Sequence, residues 1–139
     1  MPAEINSAFL WAQLESLDEI QTKRKQLWET YYEQLKPLAD KGDFKLPDMP
    51  DYATNNAHMF YLVCNSLEER TALIARLKAE GVGAVFHYLS LHSSPYYQYK
   101  HDGRDLPNCD HFADCLVRLP MYYELTLKEV DEICKFIAI

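Results

Sequence analysis

The helical pattern over the first 38 residues constrains the fold more than any other feature of this chain. In its second half the apolar residues Leu27, Trp28, Tyr31 and Leu35 form one stripe, whereas in the first half they surround the helix axis. A helix that is apolar all round needs protein on both sides. A chain of 139 residues is too small to cover both sides, so we expect the first half to pack against something outside this chain. Its apolar residues are Ile5, Ala8, Phe9, Leu10, Trp11, Ala12, Leu14 and Leu17.

This lead-in helix is predicted from about Pro2 to Leu38. Proline suits the first helical position, and Glu4 favours the positive end of the helix dipole. Pro37, followed by Lys41 and Gly42, is expected to end the helix. We therefore assign residues 1–40 to the lead-in helix and residues 41–139 to a small α+β domain.

The remaining residues alternate between strand and helix patterns. Leu89–Pro107 shows little periodicity and is predicted to be a long functional or mobile loop. The first two predicted strands and the helix between them would form a right-handed crossover. The sequence thus predicts an α+β domain with a sheet of three or four strands and helices on one face. The predicted elements are a strand over 58–64, a helix from the capping box Ser66–Glu69 to Gly81, a strand over 82–87, a short helix from the N-cap Asn108 to Cys115, a strand over 116–119 and a last helix capped by Thr126 and Glu129.

Three polar ring side chains follow the second predicted strand. Val82, Ala84 and Phe86 would alternate along that strand, so that His87 and Tyr88 lie at its end and His92 lies within one loop of both. Histidine exchanges a proton near neutral pH, and tyrosine donates hydrogen bonds to oxyanions. These residues are candidates for ligand binding at a strand end. The alternative is that they only cap the strand with satisfied hydrogen bonds.

Charge and hydropathy exclude several partners. The net charge is −7, and the one basic cluster, Lys23–Lys25, has the pattern of a solvated helix face, so we predict no nucleic-acid partner. The first residues lack the basic and apolar stretches of a signal peptide, and no run is long enough to span a bilayer. We expect no membrane partner and a cytoplasmic protein.

The four cysteines, Cys64, Cys109, Cys115 and Cys134, lie in apolar settings and are expected to be reduced and mostly buried. Cys109, His111 and Cys115, joined by His92 or His101, could in principle hold a metal ion. The spacing lacks a paired Cys-x2-Cys half-site, so we predict no metal. A nucleophile elbow, a phosphate-binding loop and a dinucleotide-binding motif are also missing, and the chemistry of this chain is therefore not self-contained.

Four stretches in this order resemble one family along essentially the whole chain. They are Pro2–Glu15, Asn56–Tyr61, Ala84–His92 and Arg118–Thr126. Together they resemble the DegT/StrS family of pyridoxal-phosphate sugar aminotransferases. The resemblance implies the small C-terminal domain of a fold-type I aminotransferase, with the lead-in helix between the two domains.

The resemblance also implies that the large domain, with the Schiff-base lysine and most of the phosphate cradle, lies before the position matching Met1. A Schiff-base lysine needs a shielded pocket that lowers its pKa. The nine lysines of this chain all lie on polar helix faces or in loops. We therefore expect pyridoxal phosphate in the full-length enzyme and no cofactor bound by this fragment.

For the full-length enzyme, the resemblance implies transfer of an amino group from glutamate to the C4 ketone of a dTDP-4-oxo-6-deoxyhexose, and a homodimer. His87 and His92 would hydrogen-bond to the sugar or the diphosphate, and Tyr88 would position the substrate. Asn56 and His58 could line the same cleft, and Arg118 could hold the glutamate carboxylate. The alternative is a free-standing α+β module that binds a ligand or regulates without catalysis.

Overall fold

A computed structural model describes residues 3–138 and confirms the predicted α+β class. A 3-10 turn over Leu91–Ser93 lies within the predicted loop. The helices are α1 (Glu4–Glu15), α2 (Leu17–Ala39), α3 (Leu67–Ala79), α4 (Pro107–Cys115) and α5 (Leu127–Ile137), and the strands are β1 (Phe60–Val63), β2 (Val85–Phe86) and β3 (Leu116–Leu119).

The lead-in helix consists of two helices that meet at Ser16. Ser16 has φ −104° and ψ 12°, and its N–H bonds to the carbonyl of Gln13 at 3.2 Å, which interrupts the regular helical pattern. The predicted end of the helix near Leu38 agrees with the structure to within one residue: α2 ends at Ala39, Pro37 lies in its last turn, and Asp40 N–H still bonds to the Lys36 carbonyl. A proline in the last turn removes one hydrogen bond but has a helical φ. The predicted start at Pro2 lies outside the described residues.

The two helices differ in burial as their patterns predict. The stripe on α2, Leu27, Trp28, Tyr31 and Leu35, is buried, whereas α1 has no buried residue. Phe9 is 70% exposed and Trp11 is 68% exposed. The apolar first half therefore has no packing partner among residues 3–138.

The sheet has three antiparallel strands in the order β1-β3-β2. The last strand in the chain lies between the first two, so the α3 connection joins strands that are not neighbours. Phe60 pairs with Leu119, and Val85 pairs with Arg118. An isolated bridge between Lys45 and Val63 extends the β1 edge.

Strand β2 is shorter than the predicted strand over 82–87 because the backbone just before it forms the C-terminal cap of α3. Val82 N–H bonds to the Leu77 carbonyl at 2.8 Å, and Gly81 adopts φ +77°, a left-handed conformation that glycine tolerates. Ala84 N–H then bonds to the Val82 carbonyl. Only Val85 and Phe86 remain for the ladder.

Two of the three predicted helix caps form. Thr126 and Glu129 make the full capping box. Ser66 accepts from Glu69 N–H, but the Glu69 carboxylate returns to Asn65 N–H instead of Ser66 N–H. The prediction of Asn108 as a cap is wrong: α4 begins with Pro107, whose missing N–H costs nothing at a helix start, and Leu106 is at the N-cap.

One hydrophobic core joins α2, α3 and α5 to the inner face of the sheet. At its centre, Phe60 stacks on Tyr31 with ring centroids 5.0 Å apart and meets Trp28 edge-on at 5.3 Å. The Tyr31 hydroxyl donates to the Pro120 carbonyl at 3.2 Å. Among the described helices, none is both long enough and apolar enough to cross a membrane.

Candidate functional site

His87 lies beside Arg118, a contact that the sequence did not predict. Arg118 is the central residue of a cross-strand row, paired with Tyr61 on β1 and Val85 on β2. Its Nη1 lies 3.5 Å from His87 Nδ1. Because guanidinium only donates, this contact needs a lone pair on His87 Nδ1. The row therefore brings a fixed cation and an imidazole together at the end of β2.

Tyr88 is 74% exposed, and its ring lies 4.4 Å from the ring of His87. The structure thus places His87, Tyr88 and Arg118 side by side, with Tyr88 exposed and the other two residues half-buried. These three side chains offer a cation, an imidazole and a hydroxyl to a ligand.

His92 lies in a separate network between the 3-10 turn and α4. Its Nε2 is 3.2 Å from Asp110 Oδ1, and the same carboxylate oxygen accepts from Ser90 Oγ at 2.8 Å. Cys109 Sγ lies 3.6 Å from Ser90 Oγ. No sequence motif indicated that Ser90 and Asp110 would support His92, because the two residues are separated by the whole loop.

A cavity of about 290 Å³ opens beside this network. The rings of His92 and His101 lie 5.1 Å apart, and His101 Nε2 lies 2.8 Å from the Arg104 carbonyl oxygen. The rest of the lining is apolar or aromatic except for Lys100, whose Nζ lies 3.9 Å from the centroid of the Tyr96 ring. The lining residues are Leu91, His92, Tyr97, Lys100, His101, Leu106 and Cys109.

Asn56 and His58 line a different cavity, of about 190 Å³, together with Trp28 and Tyr61. Asn56 Oδ1 accepts from His58 N–H at 3.3 Å and lies 2.9 Å from His58 Nδ1. These contacts tie the two residues to each other in a local turn. The structure does not bring them into the cavity that His92 lines.

Arg24 holds this turn in place, which corrects the interpretation of Lys23–Lys25 as a solvated helix face. Its guanidinium donates to the carbonyls of Ala57, His58 and Met121. Ala57 adopts φ +50°, an uncommon conformation for a residue with a Cβ. Arg24 is three, four and seven residues before Leu27, Trp28 and Tyr31, which places it on the same helix face as the buried stripe. This spacing was the sequence signal that Arg24 is not a solvated side chain.

Three of the four cysteines are buried, as predicted, whereas Cys109 is exposed; no disulfide joins any of them within residues 3–138. Burial raises the pKa of the Cys64 thiol to about 11 and that of Cys134 to about 12. Cys115 Sγ lies 3.5 Å from His111 Nδ1, while Cys109 contacts Ser90. Across residues 3–138, no three histidine, cysteine or acidic side chains form a group that could hold a metal ion.

The sequence of residues 3–138 matches the profile of the DegT/DnrJ/EryC1/StrS aminotransferase family. Among solved structures, S. venezuelae DesV in complex with a ketimine intermediate is 26% identical with TM-score 0.83, over 94% of this chain and 34% of that one. A DegT DnrJ EryC1 StrS aminotransferase from Brucella abortus is 26% identical with TM-score 0.76, over 93% of this chain and 33% of that one.

Helicobacter pylori PseC, an aminotransferase involved in the biosynthesis of pseudoaminic acid, has the same fold. It is 22% identical with TM-score 0.83, and the match covers 97% of this chain and 36% of that one. The chain therefore spans about a third of the length of the solved structures that it matches.

Proposed function

Because this chain belongs to the DegT/DnrJ/EryC1/StrS aminotransferase family, we propose that it is the C-terminal small domain of a pyridoxal-phosphate-dependent sugar aminotransferase. The observation that carries this proposal is the family match, which runs over residues 3–138. The exposed apolar helix α1 adds support, because it needs a partner that the described residues do not supply. We place the large domain of the enzyme on that helix.

The proposed reaction moves an amino group from glutamate to the C4 ketone of a dTDP-4-oxo-6-deoxyhexose. The enzyme is then a dTDP-4-oxo-6-deoxyglucose transaminase, whose product dTDP-4-amino-4,6-dideoxygalactose is used in surface polysaccharides. The four matching sequence stretches support this assignment. We further propose that the enzyme is a cytoplasmic homodimer.

The residues of this chain do not fit the covalent anchor of the cofactor. Eight of its lysines are exposed, and Lys23 is half-buried on a helix. An anchoring lysine needs a shielded site that keeps its amine neutral. When bound by the rest of the enzyme, pyridoxal phosphate supplies the electron sink for transamination.

In this proposal the small domain binds and orients the nucleotide sugar. His87 and Arg118 present an imidazole and a guanidinium at the end of β2, 3.5 Å apart. Tyr88 adds a hydroxyl on the same surface, and His92 adds a second imidazole at the neighbouring cavity. Asn56 and His58 are proposed to contact the substrate from their own cavity, in the turn that Arg24 holds.

The first test replaces His87 or His92 with alanine in the full-length enzyme. Each variant is expected to raise KM for the sugar nucleotide more than KM for glutamate, because a lost hydrogen bond costs roughly 0.5–1.5 kcal/mol when it goes to a neutral sugar group and roughly 1.5–3 kcal/mol when it goes to a charged diphosphate. His111→Ala is the matched control, since His111 is an exposed histidine on α4 that the proposal leaves outside the site. Unchanged kinetics in both variants would return the two histidines to a structural role.

The second test asks where the cofactor is anchored. The 139-residue chain alone, incubated with pyridoxal phosphate and reduced with borohydride, is expected to carry no stable adduct on any specific lysine. The full-length enzyme under the same treatment is expected to carry one adduct, on a lysine outside this chain. Peptide mass spectrometry separates the two results, and a stoichiometric adduct on one of the nine lysines would contradict the assignment.

A further inference from the structure

Apart from tyrosine, tryptophan and cysteine, Ser90 is the one residue among residues 3–138 whose polar side chain is buried, and it is 8% exposed. Its hydroxyl donates to Asp110 Oδ1 at 2.8 Å, and Asp110 Oδ1 also lies 3.2 Å from His92 Nε2. A buried hydroxyl that fixes a carboxylate reduces the freedom of that carboxylate. Asp110 is therefore held in the orientation that meets the His92 ring.

The partner of each imidazole decides which ring nitrogen carries the proton. An ionised carboxylate only accepts hydrogen bonds, so His92 Nε2 must be the donor to Asp110. A neutral His92 ring then has its lone pair on Nδ1. His101 follows the same rule, because its Nε2 lies 2.8 Å from the carbonyl oxygen of Arg104. Both neutral rings therefore keep Nδ1 as a hydrogen-bond acceptor.

We propose that Asp110 is a positioning residue that fixes His92 with its proton on Nε2, so that Nδ1 accepts a hydrogen bond from a sugar hydroxyl of the substrate. The inference rests on the proposed function and deepens it, because it assigns the cavity that His92 lines to the sugar and not to the diphosphate. A phosphate oxygen is an acceptor and needs a donor, whereas a hydroxyl can donate to Nδ1. The apolar lining by Leu91, Leu106 and Tyr97 suits the carbon face of a deoxyhexose.

The first experiment measures the proton position without any ligand. Long-range proton–nitrogen NMR on the 139-residue chain labelled with ¹⁵N-histidine, at about pH 8 where imidazole is mostly neutral, is expected to show the Nε2–H form for His92. Asp110→Ala is expected to give a mixture of both tautomers. Asp110→Asn, with its amide oxygen as the remaining acceptor, is expected to keep the Nε2–H form. A wild-type ring with its proton on Nδ1, or an unchanged tautomer in Asp110→Ala, overturns the positioning role.

The second experiment compares two probes on the full-length enzyme, dTDP-glucose and dTDP. Asp110→Ala is expected to weaken dTDP-glucose binding about tenfold and to leave dTDP binding within about twofold, since one neutral hydrogen bond is lost. Asp110→Asn is expected to stay within about threefold of wild type for both probes. Asp114→Ala, an exposed carboxylate on the same helix, is the control and is expected to change neither affinity.

Equal weakening of both probes in Asp110→Ala, with no rescue by Asp110→Asn, would assign the cavity to the diphosphate and overturn the proposal. A wild-type enzyme that binds neither probe would overturn the proposed function and the sugar assignment together. The NMR result would still decide, independently of any ligand, whether Asp110 positions His92.

Discussion

The double variant Phe9→Glu and Leu10→Glu is expected to be a folded monomer, whereas the unmodified 139-residue chain is expected to self-associate. Both side chains lie on α1, which buries none of its residues. Each apolar side chain that an interface covers contributes roughly 1.5–3 kcal/mol, so loss of two should weaken association at least about a hundredfold. Light scattering over a concentration series measures the association state.

The melting temperature of this double variant is expected to stay close to that of the unmodified chain, because α1 contributes nothing to the buried core. The matched control, Asn6→Glu and Gln13→Glu, adds the same charge to exposed polar positions of α1 and is expected to keep the chain associated. A monomeric unmodified chain at high micromolar concentration, or a double variant that unfolds, would show that α1 packs on its own domain.

The second large effect is expected at Phe60. This residue is fully buried, between the rings of Trp28 and Tyr31. Phe60→Ala removes those contacts and leaves a cavity, so the free energy of unfolding is expected to fall by about 3–5 kcal/mol. Urea unfolding in the Phe9→Glu and Leu10→Glu background measures this change without interference from association.

Tyr52→Ala is the control for that measurement, since Tyr52 is also a large aromatic residue but is 93% exposed. Its free energy of unfolding is expected to stay within about 0.5 kcal/mol. A loss below about 1 kcal/mol in Phe60→Ala would contradict the packing of α2 against the sheet.

Patterns carried by neighbouring residues predicted the fold well. The stripe on α2 follows from helical periodicity, and the capping box at Thr126 and Glu129 follows from a spacing that satisfies two backbone N–H groups locally. The α+β class followed from the alternation of strand and helix patterns. In each case the residues that decide the structure are within one or two helical turns of each other.

Features that depend on distant residues were missed. Arg24 binds carbonyls that are 33, 34 and 97 residues away, and Asp110 meets Ser90 across a loop of irregular structure. The length of β2 depends on the backbone of Gly81 and Val82, which forms the C-terminal cap of α3. For the site, the sequence indicated His87, His92 and Arg118, but it indicated neither the contact between Arg118 and His87 nor the role of Asp110 beside His92.

The strand order has a consequence for how the chain assembles during synthesis. Strand β3 is made after β1 and β2 but lies between them, so neither of those strands has its ladder partner until residues 116–119 have left the ribosome. Each pairing closes a long stretch of chain, which makes it slow relative to helix formation. Helices α2 and α3 can form first, and the sheet completes only when its central strand is inserted. During that interval the edge of β1 that later pairs with β3 is uncovered, and an unpaired strand edge is prone to aggregation.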